Sequence, residues 1–224
     1  MARLAPSILS ADFAALGADI DRVLPEADWL HVDVMDGHFV PNLTIGPPVV
    51  AAIRAHTDAY LDCHLMMTDP GDYLEAFARA GANHTSVHVE VGGTARLIDQ
   101  MRGLGLGVGL ALNPETPFSS CEPWLDRIDL LLVMTVHPGF AGQHFMAEVV
   151  PKVNQAAEAV ARTGRPVAIE VDGGIDATTV GDVARAGADT FVAGSAIFGQ
   201  PDPAGAARSI RQAAAAAAAP ARLL

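Results

Sequence analysis

Four side chains of the types that bind metals and transfer protons fall at the ends of short apolar segments. In His31-Val32-Asp33, an extended backbone places the imidazole and the carboxylate on one face, because alternate residues of a strand point the same way. His64 and Asp172 end two later segments of the same kind. Taken singly, each has an ordinary alternative, namely a hydrogen-bonded core histidine or an aspartate that forms a turn before glycine.

Taken together, these four side chains predict a metal site. Two imidazoles and two carboxylates gathered without partners in a protein interior are strongly unfavourable, and a bound divalent cation removes most of that penalty. We therefore expect one divalent cation held by His31, Asp33, His64 and Asp172. Imidazole and carboxylate ligands suit zinc, the leading expectation, with iron, manganese and cobalt as alternatives.

Glycine-rich segments form the second candidate site. The chain reads VHPGFAGQ at 136–143, and glycine pairs with small or polar neighbours at Gly173-Gly174 and Gly194-Ser195. Backbone N–H groups in such segments hold phosphate without any lysine, and the Ser195 hydroxyl adds a donor. The ordinary alternative is that these glycines only permit tight turns.

The elements that must position both sites alternate along the chain. Short β-branched runs followed by longer helical patterns are typical of βα units with a parallel sheet, and eight such units predict a (β/α)₈ TIM barrel, one domain over residues 1–224. Active sites of such barrels form at the carboxyl ends of the strands, and loops after strands seven and eight frequently hold phosphate. The expected strands are 4–9, 29–35, 59–65, 84–89, 107–112, 130–136, 167–171 and 190–193. The expected helices are 13–24, 73–80, 95–101, 149–162, 178–186 and 204–219.

Composition narrows the class of partner. The formal charge of −12 argues against nucleic acid or an anionic membrane surface, because both attract a positive field. No apolar run approaches the roughly 20 residues that span a bilayer, and the first residues lack the apolar core of a signal peptide. The two cysteines, Cys63 and Cys121, are too few for a disulfide framework. These features predict a cytoplasmic protein, and they are compatible with a small phosphorylated substrate, because backbone N–H groups hold phosphate without any positive side chain.

Six motifs, in order along the chain, resemble those of the ribulose-phosphate 3-epimerase family. They are PSILSADF at 6–13, HVDVMDGHFVPN at 31–42, DCHLM at 62–66, PGF at 138–140, VDGGI at 171–175 and AGSAIF at 193–198. The resemblance implies an isomerase of the pentose phosphate pathway that interconverts D-ribulose 5-phosphate and D-xylulose 5-phosphate. It also implies a homo-oligomer.

The resemblance assigns roles to individual residues. It implies the same four metal ligands and makes Asp33 and Asp172 the acid–base pair. The residues implied to contact substrate are Ser7, His64, Gly139, Phe140, Ala141, Gly142, Asp172, Gly173, Gly174, Gly194 and Ser195. Those implied to line the sugar site are Met35, Met66 and Met134.

One loop departs from the family's common pattern. Where Asn-Pro-Gly-Phe-Gly-Gly is usual, His137 replaces the Asn and Ala141 replaces a Gly. This loop and LNPETP at 112–117 look more like the related allulose-6-phosphate 3-epimerases. Reaction at carbon 3 of a ketose phosphate is therefore predicted more firmly than the length of the sugar.

Three other functions are alternatives to a metal-dependent epimerase. Inverting a carbon beside a ketone needs two bases on opposite faces, and a Lewis-acid metal makes carboxylates strong enough for that task. A Schiff-base aldolase or a lysine-dependent decarboxylase needs an inward lysine, but the only lysine is Lys152, near the start of a helix predicted at the surface. A phosphosugar-binding barrel without turnover is opposed in the sequence only by the intact pair of Asp33 and Asp172.

Overall fold

The computed structural model describes residues 2–218 and shows a closed barrel of eight parallel strands. The strands are β1 (Arg3–Pro6), β2 (Trp29–Met35), β3 (Tyr60–Met66), β4 (His84–His88), β5 (Gly107–Leu112), β6 (Leu130–Met134), β7 (Ala168–Asp172) and β8 (Thr190–Ala193). From β2 to β8 each strand pairs with the next, and β1 pairs with β8. An isolated parallel bridge between Ser7, directly after β1, and His31 of β2 closes the barrel. The predicted TIM barrel is confirmed.

Helices cover the outside of the barrel. They are α1 (Leu16–Val23), α2 (Pro47–His56), α3 (Leu74–Ala80), α4 (Thr94–Gly103), α5 (Val150–Thr163), α6 (Val180–Ala186), α7 (Ser195–Phe198) and α8 (Pro203–Ala217). Short 3₁₀ turns, Phe118–Ser120 and Glu122–Arg127, take the place of an α-helix after β5. The last residue of the helix expected at 204–219 lies outside the described residues, as do both ends of the expected domain.

Two expectations about elements were wrong for local reasons. The first strand ends at Pro6 instead of Leu9, because the Ser7 side chain accepts the Leu9 N–H and starts a 3₁₀ turn. Helix α2 was not expected, since its sequence begins with Pro47 and Pro48. Proline is well tolerated in the first turn of a helix, where its missing N–H has no helical partner in any case.

The barrel interior is divided into two chemically different parts. Helices and the outward strand faces form the large apolar core, which includes Val32 and Val34. Inside, β5, β6 and the start of β7 contribute a small apolar cluster that contains Leu130, Leu132 and Met134. The inward positions of the other strands are largely polar and buried. They are His31, Asp33, Asp62, His64, His84, Ser86, His88, Glu170 and Thr190.

Within residues 2–218, no helix combines the length and apolarity that crossing a membrane requires.

Candidate active site

A cavity of about 430 Å³ opens where the loops after the strands meet. It is lined by nearly all of the residues that the sequence marked for chemistry or binding. These are Ser7, Asp33, Met35, Met66, Met134, Gly139, Phe140, Ala141, Gly142, Asp172, Gly173, Gly174, Gly194 and Ser195. The predicted residues His31 and His64 lie just beneath, fully buried.

The register of the sheet brings the four predicted metal ligands together. Asp33 of β2 is level with His64 of β3, and Asp172 ends β7. Asp33 Oδ1 lies 3.3 Å from His31 Nε2 and 3.1 Å from His64 Nδ1. Asp172 Oδ2 lies 3.9 Å from the same His64 nitrogen. One ligand atom from each residue falls within 4.8 Å of all the others.

This arrangement fits a divalent cation. Ligand atoms placed tetrahedrally at about 2.0–2.2 Å from zinc lie roughly 3.3–3.6 Å apart, close to the separations observed. Among residues 2–218, His31 Nε2 finds no hydrogen-bond partner although Asp33 Oδ1 lies 3.3 Å away, so this buried nitrogen is free to face an ion. Ser7 Oγ donates to Asp33 Oδ2 at 2.6 Å, which leaves Asp33 Oδ1 facing both imidazoles.

The two carboxylates of the cluster differ in their readiness to hold a proton. Burial disfavours the charged form of Asp33, but His31 and His64 outweigh it and hold the Asp33 pKa far below its ordinary value. Burial and the neighbouring charge of Asp33 raise the pKa of Asp172 to about 7. A pair of carboxyl groups pushed apart in this way offers one base and one acid near neutral pH.

The two imidazoles also differ. Burial opposes charge on His31, but Asp33 and Asp62 outweigh it and raise the His31 pKa well above its ordinary value. Burial lowers the pKa of His64, and the hydrogen bond to Asp33 offsets only part of that effect. His64 is therefore a neutral imidazole with a lone pair available.

A second group of buried residues lies deeper in the barrel and was missed from the sequence. His31 Nδ1 is 2.7 Å from Asp62 Oδ2, and Asp62 Oδ1 is 2.8 Å from His84 Nδ1. Burial and the charge of Asp62 raise the pKa of Glu170 well above its ordinary value. The signal for Asp62 and Glu170 was their position two residues before His64 and Asp172, which puts them on the same inward strand face.

The predicted phosphate side is built from loop backbone. Gly173 and Gly174 have φ of +122° and +65°, where a side chain is strained, and an added Cβ at Gly174 would lie 2.4 Å from the Phe145 nitrogen. The backbone at these two positions therefore requires glycine, with or without a bound phosphate. Gly194 differs, because its φ is −105° and an added Cβ would meet mainly the Ser10 hydroxyl, at 2.6 Å.

Two loops meet at the rim of the cavity. The Asn42 side-chain amide donates to the Gly139 carbonyl at 2.7 Å, which ties the loop after β2 to the loop after β6. Phe140 is 56% exposed there. Of the two residues that depart from the family pattern, Ala141 lines the cavity, whereas His137 is turned to Glu115, with 3.1 Å between Nδ1 and Oε1.

Lys152 plays a structural part. Its ammonium group donates to the carbonyls of Asn113 and Pro114, at 2.8 and 2.7 Å. It is partly buried and does not line the cavity, contrary to a Schiff-base role. The expectation that Lys152 lies near the start of a helix is confirmed by α5.

The fold and the site together define a class, a TIM barrel with a candidate divalent-metal centre at the carboxyl end of its strands. Solved structures of low sequence identity share this fold. A 3-hexulose-6-phosphate synthase from Salmonella typhimurium matches with a TM-score of 0.72 at 22% identity, covering 96% of this chain and 99% of that one. A KGPDC from Streptococcus mutans matches with a TM-score of 0.72 at 16% identity, covering 96% and 98%.

Sequence comparison is more specific. The model of the ribulose-phosphate 3-epimerase family matches residues 3–198. A "Ribulose-phosphate 3-epimerase, cytoplasmic isoform" from Oryza sativa subsp. japonica is 49% identical over 208 residues, 90% of each chain. A "Ribulose-phosphate 3-epimerase" from Bacillus subtilis is 49% identical over 205 residues, 90% of this chain and 94% of the other. The chain belongs to the ribulose-phosphate 3-epimerase family.

Proposed function

We propose that this protein is a ribulose-phosphate 3-epimerase that interconverts D-ribulose 5-phosphate and D-xylulose 5-phosphate. The observation that carries the proposal is the pair of carboxylates, Asp33 and Asp172, which line one cavity and both face the Nδ1 nitrogen of His64, at 3.1 and 3.9 Å. Relatives with that name at 49% identity over about nine-tenths of the chain supply the substrate.

In this proposal, His31, Asp33, His64 and Asp172 hold one divalent cation, with zinc the first expectation. When bound, the cation acts as a Lewis acid that stabilises the negative charge developing on the ketone oxygen. His31 Nε2 and His64 Nδ1 would be the nitrogen ligands, with the ion in place of the proton on His31, and the two carboxylates would balance the charge of the ion.

Asp33 and Asp172 move the proton at carbon 3. One carboxylate removes it from one face of the sugar, and the other carboxyl group returns a proton to the opposite face, so the configuration inverts. The two residues come from β2 and β7, which are not adjacent in the barrel, so their carboxyl groups reach the site from different directions. Reversal exchanges their roles, since each direction begins with the other base.

The remaining cavity residues bind and orient the substrate. Met35, Met66 and Met134 offer an apolar, polarisable surface to the carbon chain and exclude water from the charge that develops. Backbone N–H groups of Gly173, Gly174 and Gly194, with the Ser195 hydroxyl, hold the phosphate. Ser7, His64, Asp172 and the loop residues Gly139, Phe140, Ala141 and Gly142 complete the substrate contacts.

We also propose that residues 1–224 form one barrel domain that works in the cytoplasm as a homo-oligomer. The thiols of Cys63 and Cys121 are free and buried, which suits a reducing compartment. Three large apolar side chains away from the strands, Phe13, Leu43 and Tyr73, are 47–76% exposed, which suits contact with another subunit.

The test is isotopic. Zinc-loaded protein incubated with ribulose 5-phosphate in D₂O should produce xylulose 5-phosphate with deuterium at carbon 3 in the product. Allulose 6-phosphate in a parallel reaction should have a kcat/KM at least about tenfold lower, a difference of about 1.4 kcal/mol in transition-state binding. Faster turnover of allulose 6-phosphate would assign the hexulose substrate instead. Binding of either sugar phosphate with no deuterium incorporation would make the protein a binding barrel and refute the proposal.

A further inference from the structure

His64 contacts a chain of polar groups on the side facing away from the cavity. Its Nε2 lies 2.8 Å from His88 Nε2, and His88 Nδ1 lies 3.2 Å from Glu90 Oε2. The rings of His64 and His88 are both fully buried, at 0% and 1% exposure. These contacts connect a proposed metal ligand with a carboxylate at the edge of the barrel.

Glu90 is fixed as an acceptor. Its second oxygen, Oε1, accepts from the Asn113 N–H at 2.8 Å and from Thr116 Oγ1 at 2.5 Å. Partial burial opposes ionisation, but these donors and His88 outweigh it and lower the Glu90 pKa to about 2. The loop that supplies the donors is itself held by Lys152, which donates to the Asn113 and Pro114 carbonyls.

The direction of the hydrogen bonds follows from the number of ring protons. Three contacts lie in line, from Asp33 Oδ1 to His64, from His64 to His88, and from His88 to Glu90. Two neutral imidazoles carry only two protons, so three donors cannot be supplied. With a cation in place of the proton of the first contact, the two ring protons serve the other two contacts, so His88 donates from Nδ1 to Glu90 and His64 donates from Nε2 to His88 Nε2. The lone pair of His64 Nδ1 then faces Asp33, an arrangement that a cation between the two groups satisfies.

We propose that Glu90 and His88 are positioning residues that fix the tautomer of His64 and so prepare its Nδ1 for the metal. The inference rests on the proposed function, because it takes His64 as a ligand. A ligating histidine is generally oriented by an acceptor at its other nitrogen. For His31 that acceptor is Asp62, in direct contact at 2.7 Å. For His64 the acceptor is His88, and the carboxylate of Glu90 acts on His64 through that second histidine.

The decisive variant is Glu90→Gln. It keeps the shape of the side chain and replaces the oxygen that accepts from His88 with an NH₂ group that donates. The amide oxygen remains with the Asn113 N–H and Thr116, so the amide NH₂ is directed at His88 Nδ1. That nitrogen must then accept, the proton of His88 moves to Nε2, and the proton of His64 moves to Nδ1, where it blocks the metal. We expect the dissociation constant for zinc, measured on the metal-free protein by chelator competition, to rise about 10- to 100-fold.

Two control variants separate this effect from loss of charge and from loss of packing. Glu115→Gln neutralises a carboxylate in the same loop that pairs with His137 and has no contact with the chain of histidines. Thr116→Val removes one donor to Glu90 and keeps its charge. Both should bind zinc within about threefold of the unaltered protein, well below the range for a lost orienting acceptor. Equal zinc affinity in Glu90→Gln and the unaltered protein, or an equal loss in Glu115→Gln, would overturn the inference.

A second measurement needs no variant. Long-range proton–nitrogen NMR spectra of the zinc-loaded protein should show His88 protonated at Nδ1 and His64 protonated at Nε2. The cobalt-loaded Glu90→Gln protein should also show an altered ligand-field absorption spectrum. A proton on His88 Nε2 in the zinc-loaded protein would refute the inference and leave the proposed epimerase function standing. Absence of any zinc binding by the unaltered protein would remove the metal site itself, and the inference with it.

Discussion

The two sides of the cavity are made from different parts of the chain. The metal side, His31, Asp33, His64 and Asp172, consists of side chains on strands, and the first three have buried hydrogen-bond partners. The glycine side, Gly173, Gly174, Gly194 and Ser195, consists of loop backbone and one hydroxyl. Strand side chains suit a reaction that needs fixed distances between acid, base and ion. Loop N–H groups suit an anion that has to be held but does not react.

The two sides also differ in the free energy needed to bury their polar groups. The metal side gathers buried ionisable groups and leaves His31 Nε2 without a partner, so it is unfavourable until a cation is present. The glycine side leaves no charge buried, and the main constraint on Gly174 is the close approach of Phe145. Loss of the metal side should therefore remove the reaction, whereas damage to the glycine side should weaken binding and orientation.

The largest expected effect is that of metal removal. Protein stripped by a chelator should lose at least about 10³-fold in kcat, because without Lewis-acid assistance a carboxylate is a poor base for a proton beside a ketone. Adding back zinc, manganese or cobalt should restore activity in proportion to bound metal. The measurement is turnover alongside metal content. Full activity in a preparation verified as metal-free would contradict the role of the metal side.

Removing one acid–base group should have the next largest effect. Asp33→Asn and Asp172→Asn should each lower kcat at least about 10²-fold at saturating metal, the lower end for a general acid–base group. Because each carboxylate serves one face, each variant should still exchange the carbon-3 hydrogen of one epimer with D₂O and fail with the other. Metal content measured on the same samples separates loss of the base from loss of a ligand. If either variant epimerised at near-normal rate, that residue would not be a base.

The glycine side should show a smaller effect, mainly on KM. Ribulose without its phosphate should react with a lower kcat as well as a higher KM, since remote binding energy helps to orient the sugar between Asp33 and Asp172. Gly194→Val should raise KM for ribulose 5-phosphate about tenfold, or about 1.4 kcal/mol, by filling the approach to the loop while the metal site stays loaded.

Ser10 supplies the control for that variant. An added Cβ at residue 194 meets the Ser10 hydroxyl, so an internal clash is an alternative cause. Ser10→Ala combined with Gly194→Val relieves the clash and leaves the phosphate path blocked. If the double variant recovers a normal KM, or if unphosphorylated ribulose turns over normally at saturation, Gly194 does not bind phosphate.

The effect furthest from catalysis concerns stability and compares the two sides without substrate. The pKa of Asp172 is about 7 in the folded protein, above its ordinary value of 3.8. Between these values the unfolded chain releases the proton that the folded chain keeps, so the free energy of unfolding falls as pH rises. The free energy of unfolding of metal-free Asp172→Asn should therefore exceed that of the metal-free unaltered protein by about 4 kcal/mol at about pH 8 and match it below about pH 4.

Urea unfolding at the two pH values measures this difference. Asp176, beside the glycine side, is the matched control of opposite sign. Hydrogen bonds from Thr178 and Thr179 outweigh slight burial and lower its pKa, so Asp176→Asn should be less stable than the unaltered protein at about pH 8. No gain in stability for Asp172→Asn at about pH 8 would show that Asp172 is ionised in the metal-free protein.

The sequence alone determined the architecture and the four candidate ligands. Alternate residues of a strand point the same way, which places His31 and Asp33 on one face. A closed parallel barrel brings the carboxyl ends of all its strands to one opening, so the position of the site could be predicted from the strand pattern and the fold class. The same alternation, applied two residues before His64 in β3 and before Asp172 in β7, predicts that Asp62 and Glu170 also point inward.

Only the tertiary structure decided which partner each buried group has. The contact of His64 with His88 depends on the register between β3 and β4, and the contact of His88 with Glu90 depends on a 3₁₀ turn after β4. Neither can be predicted from the spacing of apolar and polar residues. The space around the glycines was also undecided, because Phe145 restricts Gly174 and Ser10 restricts Gly194 from distant parts of the chain. Periodicity specifies the direction of a side chain, but its neighbours across the barrel are set by packing between segments that the chain brings together only on folding.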